Sequence, residues 1–180
     1  SLQKGAQLFV NNCQGCHSAN FMRYERVSDD LEIPADIMME NLVFTDSKIG
    51  DVMVSAIPQD LAKKWFGTAP PDLSLQARVR GADWVYSYLT SFYVDESRPW
   101  GVNNHVFKDV GMPHVLQIMQ DSLSEKEFKT NMADLTNYMV YMAEPIRATR
   151  ESLGYKVIAF LFVLLFFVYM LNREYWKDVH

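Results

Sequence analysis

The sequence predicts an all-α chain: one helical globular domain over residues 1–146, then, within residues 147–180, a single membrane-spanning helix. Three observations lead there. Apolar residues recur every three or four positions along several segments, and no segment shows the convincing alternation of a half-buried strand. Residues 157–171 read VIAFLFVLLFFVYML without a break, which with its neighbours approaches the roughly 20 apolar residues that a bilayer-crossing helix needs. The length of 180 residues exceeds one small core without filling two. No internal repeat is present. The net charge of −5 comes from dispersed acidic residues, and no nucleic-acid partner is expected.

The first helix carries Gly5, Ala6, Leu8, Phe9 and Val10 and runs directly into Cys13-Gln14-Gly15-Cys16-His17. A second helical stretch is expected over residues 49–57, with Ile49, Val52, Met53 and Ala56 apolar, until Pro58 interrupts it. Pro70-Pro71-Asp72 makes a rigid turn. Residues 73–79 and 83–92 read as short helices, the latter with Val85, Tyr88, Leu89 and Phe92 on one face. Residues 93–113 are irregular and rich in Asn, Pro and Gly, which reads as a loop. The clearest helix begins at Ser124, where Ser-Glu-Lys-Glu127 forms a capping box. Phe128, Met132, Leu135, Met139 and Met142 then recur at helical spacing, a stripe expected to pack on the first helix where Gly5 and Ala6 permit close approach. Pro145 ends or bends this helix.

The membrane span is placed at about residues 153–173. Lys156 can snorkel to one interface, and Tyr169, Tyr175 and Trp176 form an aromatic belt at the other. Arg147, Arg150 and Lys156 precede the span while Arg173 and Lys177 follow it, so the positive-inside rule gives only a weak and slightly reversed signal.

Cys13-Gln14-Gly15-Cys16-His17 reads as the attachment site of a c-type haem. Two thiols add across the haem vinyl groups to form thioethers, and the adjacent imidazole becomes the proximal iron ligand. Positions i, i+3 and i+4 share one helical face, so both sulfurs and the ring can address one flat cofactor. A zinc site would need two more ligands at metal spacing, yet these are the only cysteines, and His105, His114 and His180 are scattered. A thioredoxin-type exchange site would need a βαβ context, which the helical flanks do not supply. The chain is therefore expected to carry one covalently attached haem c. Because such haem is attached outside the cytoplasm, the globular domain is expected on the periplasmic or intermembrane-space side. About the last eight residues then lie across the membrane. A leader cleaved ahead of Ser1 is also expected.

For the second axial ligand the reading favours Met112, in Gly111-Met112-Pro113. There a glycine lets the backbone come close and a proline fixes the chain beyond. His114 and His105 compete for this role and would give an iron of lower potential. Met132, Met139 and Met142 belong to the core stripe and are left out of the iron chemistry.

In these features the chain resembles the cytochrome c1 family, the membrane-anchored haem subunits of the ubiquinol:cytochrome c oxidoreductase, or cytochrome bc1 complex. The resemblance rests on the haem motif with Ser18, Ala69-Pro-Pro-Asp-Leu-Ser74, Gly111-Met112-Pro113, Ala143-Glu-Pro145 and the terminal anchor, in that order. Short connecting loops make it more like a bacterial member. It implies a class I cytochrome c-like haem domain with long loops, with Cys13 and Cys16 holding the haem and His17 and Met112 as axial ligands. Arg78 would face a haem propionate, with Arg80 a close rival; the alternative for either is a solvated helix-surface charge. A carbonyl of the Pro70-Pro71 turn would accept the His17 imidazole proton. Trp84 stands where members of that family often carry Tyr, so no hydroxyl hydrogen bond is expected from this position.

With both axial positions filled by protein, the iron changes oxidation state without an open position for chemistry, which makes the chain an electron carrier. The resemblance implies reduction by a Rieske iron-sulfur protein and oxidation by a c-type cytochrome acceptor. It further implies a C-terminal helix docked on cytochrome b in the lipid bilayer, a dimeric complex, and location in a bacterial inner membrane. No independent catalytic site is identified. The alternatives are a free-standing tethered c-type cytochrome, a haem subunit of a terminal oxidase, a haem enzyme or gas sensor, and a mainly structural anchor. Asp29, Asp30, Glu32, Asp36 and Glu40 form the densest acidic stretch, read first as a solvated face and second as steering for a basic partner.

Overall fold

The computed structural model describes residues 1–178. Val179 and His180, the end of the expected tail, lie outside the described residues. The chain divides into two compact units, Ser1–Glu144 and Pro145–His180.

In the first unit, α1 (Leu2–Asn12) and α8 (Glu125–Ala143) form the central helix pair. Between them come β1 (Ala19–Arg23), α2 (Tyr24–Asp30), α3 (Ala35–Asn41), β2 (Val52–Met53) and α4 (Gln59–Phe66). These are followed by α5 (Gln76–Arg80), α6 (Ala82–Thr90), β3 (Phe92–Val94), β4 (Val102–Asn104) and α7 (Gln117–Ser122).

Why α1 and α8 lie so close follows from Gly5. A Cβ at that position would stand 2.6 Å from Tyr138 Cβ and 3.0 Å from the Asp134 carbonyl carbon. Only hydrogen fits. Phe9 and Tyr138, both fully buried, then meet with ring centroids 5.5 Å apart. Met132 and Leu135 are fully buried beside them, and Phe128, Met139 and Met142 complete the stripe. Each such side chain contributes about 1.5–3 kcal/mol by leaving water. The start of α8 is fixed by a capping box: Ser124 Oγ accepts from the Glu127 N–H at 3.3 Å, and Glu127 Oε2 accepts from the Ser124 N–H at 3.1 Å.

The architecture is mostly helical, with four short strands among the described residues. These strands depart from the reading of the sequence. Residues 49–57 form no helix. Lys48 N–H donates to Asp51 Oδ2 at 2.7 Å and Asp51 N–H to the Lys48 carbonyl at 2.9 Å, closing a turn. Beyond it β2 pairs antiparallel with β1, Met53 opposite Ala19, burying both. The irregular stretch after α6 likewise holds a hairpin, in which Phe92, Tyr93 and Val94 face Asn104, Asn103 and Val102. Strands of two to five residues give almost no alternation to read. The short helices α2, α3, α4 and α7 were also not distinguishable in the sequence. Gly81, at φ 89°, occupies the left-handed region between α5 and α6 and lets the chain change direction there.

The second unit is built on α9 (Arg147–Tyr175), 29 residues with none of its side chains buried. At 1.5 Å per residue it extends about 44 Å, beyond the ~30 Å hydrocarbon thickness of a bilayer. It is long and apolar enough to cross a membrane.

Candidate haem-attachment site

Cys13 caps the C-terminal end of α1, its N–H donating to the Phe9 carbonyl at 2.8 Å. The motif then continues as one more turn: Cys16 N–H and His17 N–H both donate to the Cys13 carbonyl, at 3.1 and 2.9 Å. Backbone bonding thus winds Cys13, Cys16 and His17 around a single turn.

Surrounding segments hold that turn in place. The buried Gln14 amide donates to the Tyr24 hydroxyl and reaches the Val54 carbonyl at 3.4 Å. Ser55 Oγ–H donates to the Gly15 carbonyl at 2.9 Å, and Ser18 Oγ accepts from the Ser55 N–H at 2.9 Å. From the other side comes the Pro70-Pro71-Asp72 segment. Asp72 Oδ2 accepts from the Asn20 N–H at 2.9 Å, and Asp72 Oδ1 from the Ser74 N–H at 2.8 Å. Ser74 Oγ, fully buried, accepts from the Phe21 N–H at 3.1 Å.

These bonds deliver the Pro71 carbonyl oxygen to 2.7 Å from His17 Nδ1. A carbonyl only accepts, so Nδ1 carries the proton and Nε2 keeps its lone pair. Burial lowers the His17 pKa, against smaller opposing effects of the Pro71 carbonyl and the Asp72 carboxylate. Burial thus favours the neutral ring, the form in which an imidazole binds a metal. Burial, with a smaller effect from Cys16, pushes the Cys13 thiol up to about 12. Both cysteines are free of disulfide bonds. Two thiols and a neutral imidazole of fixed tautomer on one turn form a donor set that fits a covalently attached haem.

A second cluster lies along α6. Arg80 sits over Trp84, its guanidinium carbon 5.0 Å from the ring centroid. Trp84 stacks on Tyr88 at 5.2 Å and 10°, and Tyr88 meets Phe92 edge-on at 5.3 Å and 73°. Trp84 and Tyr88 are one turn apart on α6, with Arg80 at the end of α5 and Phe92 at the start of β3 on either side. Met112 packs against this cluster, half-buried, and its Sδ accepts from the Tyr88 hydroxyl at 3.4 Å. Burial pushes the Tyr88 phenol up to about 12.

His114 stacks flat on Phe92 at 4.6 Å and 1°. Its Nε2 is 2.9 Å from Gln120 Oε1, while its buried Nδ1 has no hydrogen-bond partner. His105 stacks on Tyr93 at 4.3 Å. Arg78 pairs with Glu144, Nη1 to Oε2 at 3.0 Å, with its own side chain 59% exposed.

The structure thus gathers Cys13, Cys16, His17 and Pro71 in one place, and Arg80, Trp84 and Met112 in another around Tyr88. It gives Arg78 a carboxylate partner. The supporting roles of Gln14, Ser55, Asp72 and Ser74 were missed in the sequence, because most of their partners lie far away in the chain. Asp72 and Ser74 did carry a signal, since an Asp or Ser beside prolines commonly bonds nearby backbone N–H groups. Tyr88 was read only as one apolar position of a helix face. Among the described residues no group of three or more His, Cys, Asp or Glu is placed to hold a separate metal ion.

Comparison with known proteins gives a consistent result. The family model described as Cytochrome C1 family matches residues 1–179. The chain is 44% identical over 207 residues to cytochrome c1 of Allochromatium vinosum, covering 100% of this chain and 85% of that protein. It is 43% identical over 197 residues to the ammonia monooxygenase gamma subunit of Nitrosomonas europaea, covering 100% and 84%. Cytochrome c1 of Rhodospirillum rubrum is 29% identical over 221 residues, covering 99% and 81%.

Proposed function

Given that this chain belongs to the cytochrome c1 family, we propose that it is the haem-bearing electron-transfer subunit of a ubiquinol:cytochrome c oxidoreductase. It takes electrons from a Rieske iron-sulfur protein and passes them to a c-type cytochrome. The observation that carries this reading is the 2.7 Å approach of the Pro71 carbonyl to His17 Nδ1, which leaves Nε2 free to bind iron on the turn that carries both thiols.

One haem c would be held through thioethers from Cys13 and Cys16, with His17 Nε2 and Met112 Sδ as the donors to its iron. When bound, it supplies a one-electron redox couple at its iron. The Pro71 carbonyl keeps the imidazole in one tautomer and raises its basicity. Gln14, Ser55 and Ser74 hold the backbone around the turn that carries Cys13, Cys16 and His17. The two axial donors favour a carrier over the oxygenase named for the Nitrosomonas relative, because both iron positions are then filled.

The helix α9 supports a single-pass anchor, with the haem domain on the periplasmic side of a bacterial inner membrane and a short cytoplasmic tail. In the bilayer it docks on cytochrome b within a dimeric complex. Mild-detergent purification through a tag on this chain tests the reading. A dihaem cytochrome b and a Rieske protein are expected with it at equal stoichiometry. Recovery of the haem protein alone, or with terminal-oxidase subunits, would overturn the assignment in favour of a tethered carrier.

A further inference from the structure

We propose that the Tyr88 hydroxyl is a positioning residue for the axial thioether, donating its hydrogen bond to Met112 Sδ and so orienting the sulfur and setting its donor strength. The inference rests on Met112 being the axial ligand.

The geometry comes first. The Tyr88 oxygen lies 3.4 Å from Met112 Sδ, within range for an O–H···S hydrogen bond. Tyr88 cannot readily turn elsewhere, since its ring is clamped between Trp84, stacked at 5.2 Å, and Phe92, edge-on at 5.3 Å. Its backbone is also fixed, because Asn104 Nδ2–H donates to the Tyr88 carbonyl at 2.8 Å and ties α6 to β4. That asparagine is itself buried. Met112 lies in a segment with neither helix nor strand, between β4 and α7. An unbranched thioether there has several rotamers, and one directional bond restricts them.

The electronic consequence follows from the sulfur's two lone pairs. One accepts from Tyr88 and the other remains for a metal. A hydrogen bond on the first withdraws density from the second, making the sulfur a poorer donor. Ferric iron, with the higher charge, loses more from that than ferrous iron, so the bond favours the reduced state. Outer hydrogen bonding of this kind is one of the protein's means of setting a haem potential.

The test replaces Tyr88 by Phe in the full-length holoprotein, which keeps the ring between Trp84 and Phe92 and removes only the hydroxyl. Redox titration and the methionine-to-iron charge-transfer absorption are the readouts. At the wild-type midpoint, the ferric-to-ferrous ratio of Tyr88→Phe is expected to rise about three- to tenfold; tenfold corresponds to about 59 mV for one electron. The charge-transfer band is expected to persist at a shifted position. Met112→Leu is run alongside and is expected to lose that band.

If Met112→Leu loses the band while Tyr88→Phe keeps both the wild-type potential and the wild-type band, the role of Tyr88 is refuted and the ligand assignment stands. If Met112→Leu keeps the band, the ligand assignment fails and this inference with it. Should Tyr88→Phe take up haem poorly, 3-fluorotyrosine at position 88 supplies a stronger donor and must move the ratio the opposite way. No change, or the same direction, would overturn the proposal.

Discussion

Gly5→Ala is the sharpest test of the packing that carries the haem motif. The added Cβ would lie 2.6 Å from Tyr138 Cβ and 3.0 Å from the Asp134 carbonyl carbon, whereas carbon atoms at rest sit about 3.5–4.0 Å apart. Neither obstacle is a flexible tip. One belongs to the backbone of α8 and the other is the root of a side chain with no exposed surface. The helices must therefore separate by about 1 Å over the contact, at the upper end of the ~1–3 kcal/mol typical of overpacking. Alanine recovers about 1 kcal/mol over glycine through helix propensity. The net expectation is a loss of about 1–2 kcal/mol.

The sign makes the experiment decisive, since an unobstructed Gly→Ala change in a helix stabilises. Urea unfolding of the detergent-solubilised holoprotein, followed by tryptophan fluorescence, reads it directly. With a slope of about 2 kcal/mol per molar urea, the midpoint should fall by about 0.5–1 M. An unchanged or higher midpoint at the same slope would refute the close crossing of α1 and α8.

At the other end of that helix pair, Ser124→Ala removes the capping hydroxyl and is expected to cost about 1 kcal/mol in the same assay. The Ser124 hydroxyl and N–H hold the Glu127 carboxyl below its usual pKa. Its stabilising effect is therefore complete above the unfolded carboxylate value and is lost as pH falls through the lowered folded one. Glu127→Gln should flatten that part of the acid dependence, and an unchanged pH profile of the urea midpoint would count against the capping contact. For Arg78 and Glu144, a double-mutant cycle with both changed to Gln should give a coupling of at most about 1 kcal/mol, because the arginine is largely exposed. If Arg78 faces a propionate, Arg78→Gln lowers the reduction potential more than Arg80→Gln does; the reverse order in a redox titration gives that role to Arg80.

What was legible in the sequence depended on how local each signal is. The Cys13, Cys16 and His17 spacing, the Ser124 capping box and the α8 stripe are all contained within a turn or a helix, and the membrane helix is a matter of composition. The β1–β2 pairing joins residues about thirty positions apart through strands too short to alternate, so residues 49–57 looked like a helix broken by Pro58. Gln14 illustrates the same limit at the site. Its neighbours in the chain mark it as a spacer between cysteines, whereas in space its amide reaches Tyr24 and Val54. Tyr88 was hidden for another reason, since an aromatic residue on a helix face reads as core whether or not its hydroxyl has a partner.

The Pro70-Pro71 pair shows why the His17 imidazole is held by an irregular segment. A carbonyl inside a helix or a sheet is already committed to its own ladder and can offer the imidazole only a second lone pair. Proline at 71 disfavours helical geometry at residue 70, and neither proline has an N–H to give to a strand. The Pro71 carbonyl is thus available to His17. Availability alone would leave a mobile loop, and the following residues prevent that. Asp72 accepts from backbone N–H groups of both Asn20 and Ser74, and Ser74 in turn accepts from Phe21. Leu73 N–H donates to the Ser18 carbonyl at 2.9 Å, joining the same segment to the residue after His17. The imidazole and the carbonyl that fixes its tautomer are therefore tied to a common strand, β1, so that displacement of one moves the other. A side-chain carboxylate in place of the Pro71 carbonyl would bring a full negative charge to the half-buried ring. The neutral carbonyl fixes the same tautomer without that charge, and without a titratable group whose protonation would release the ligand.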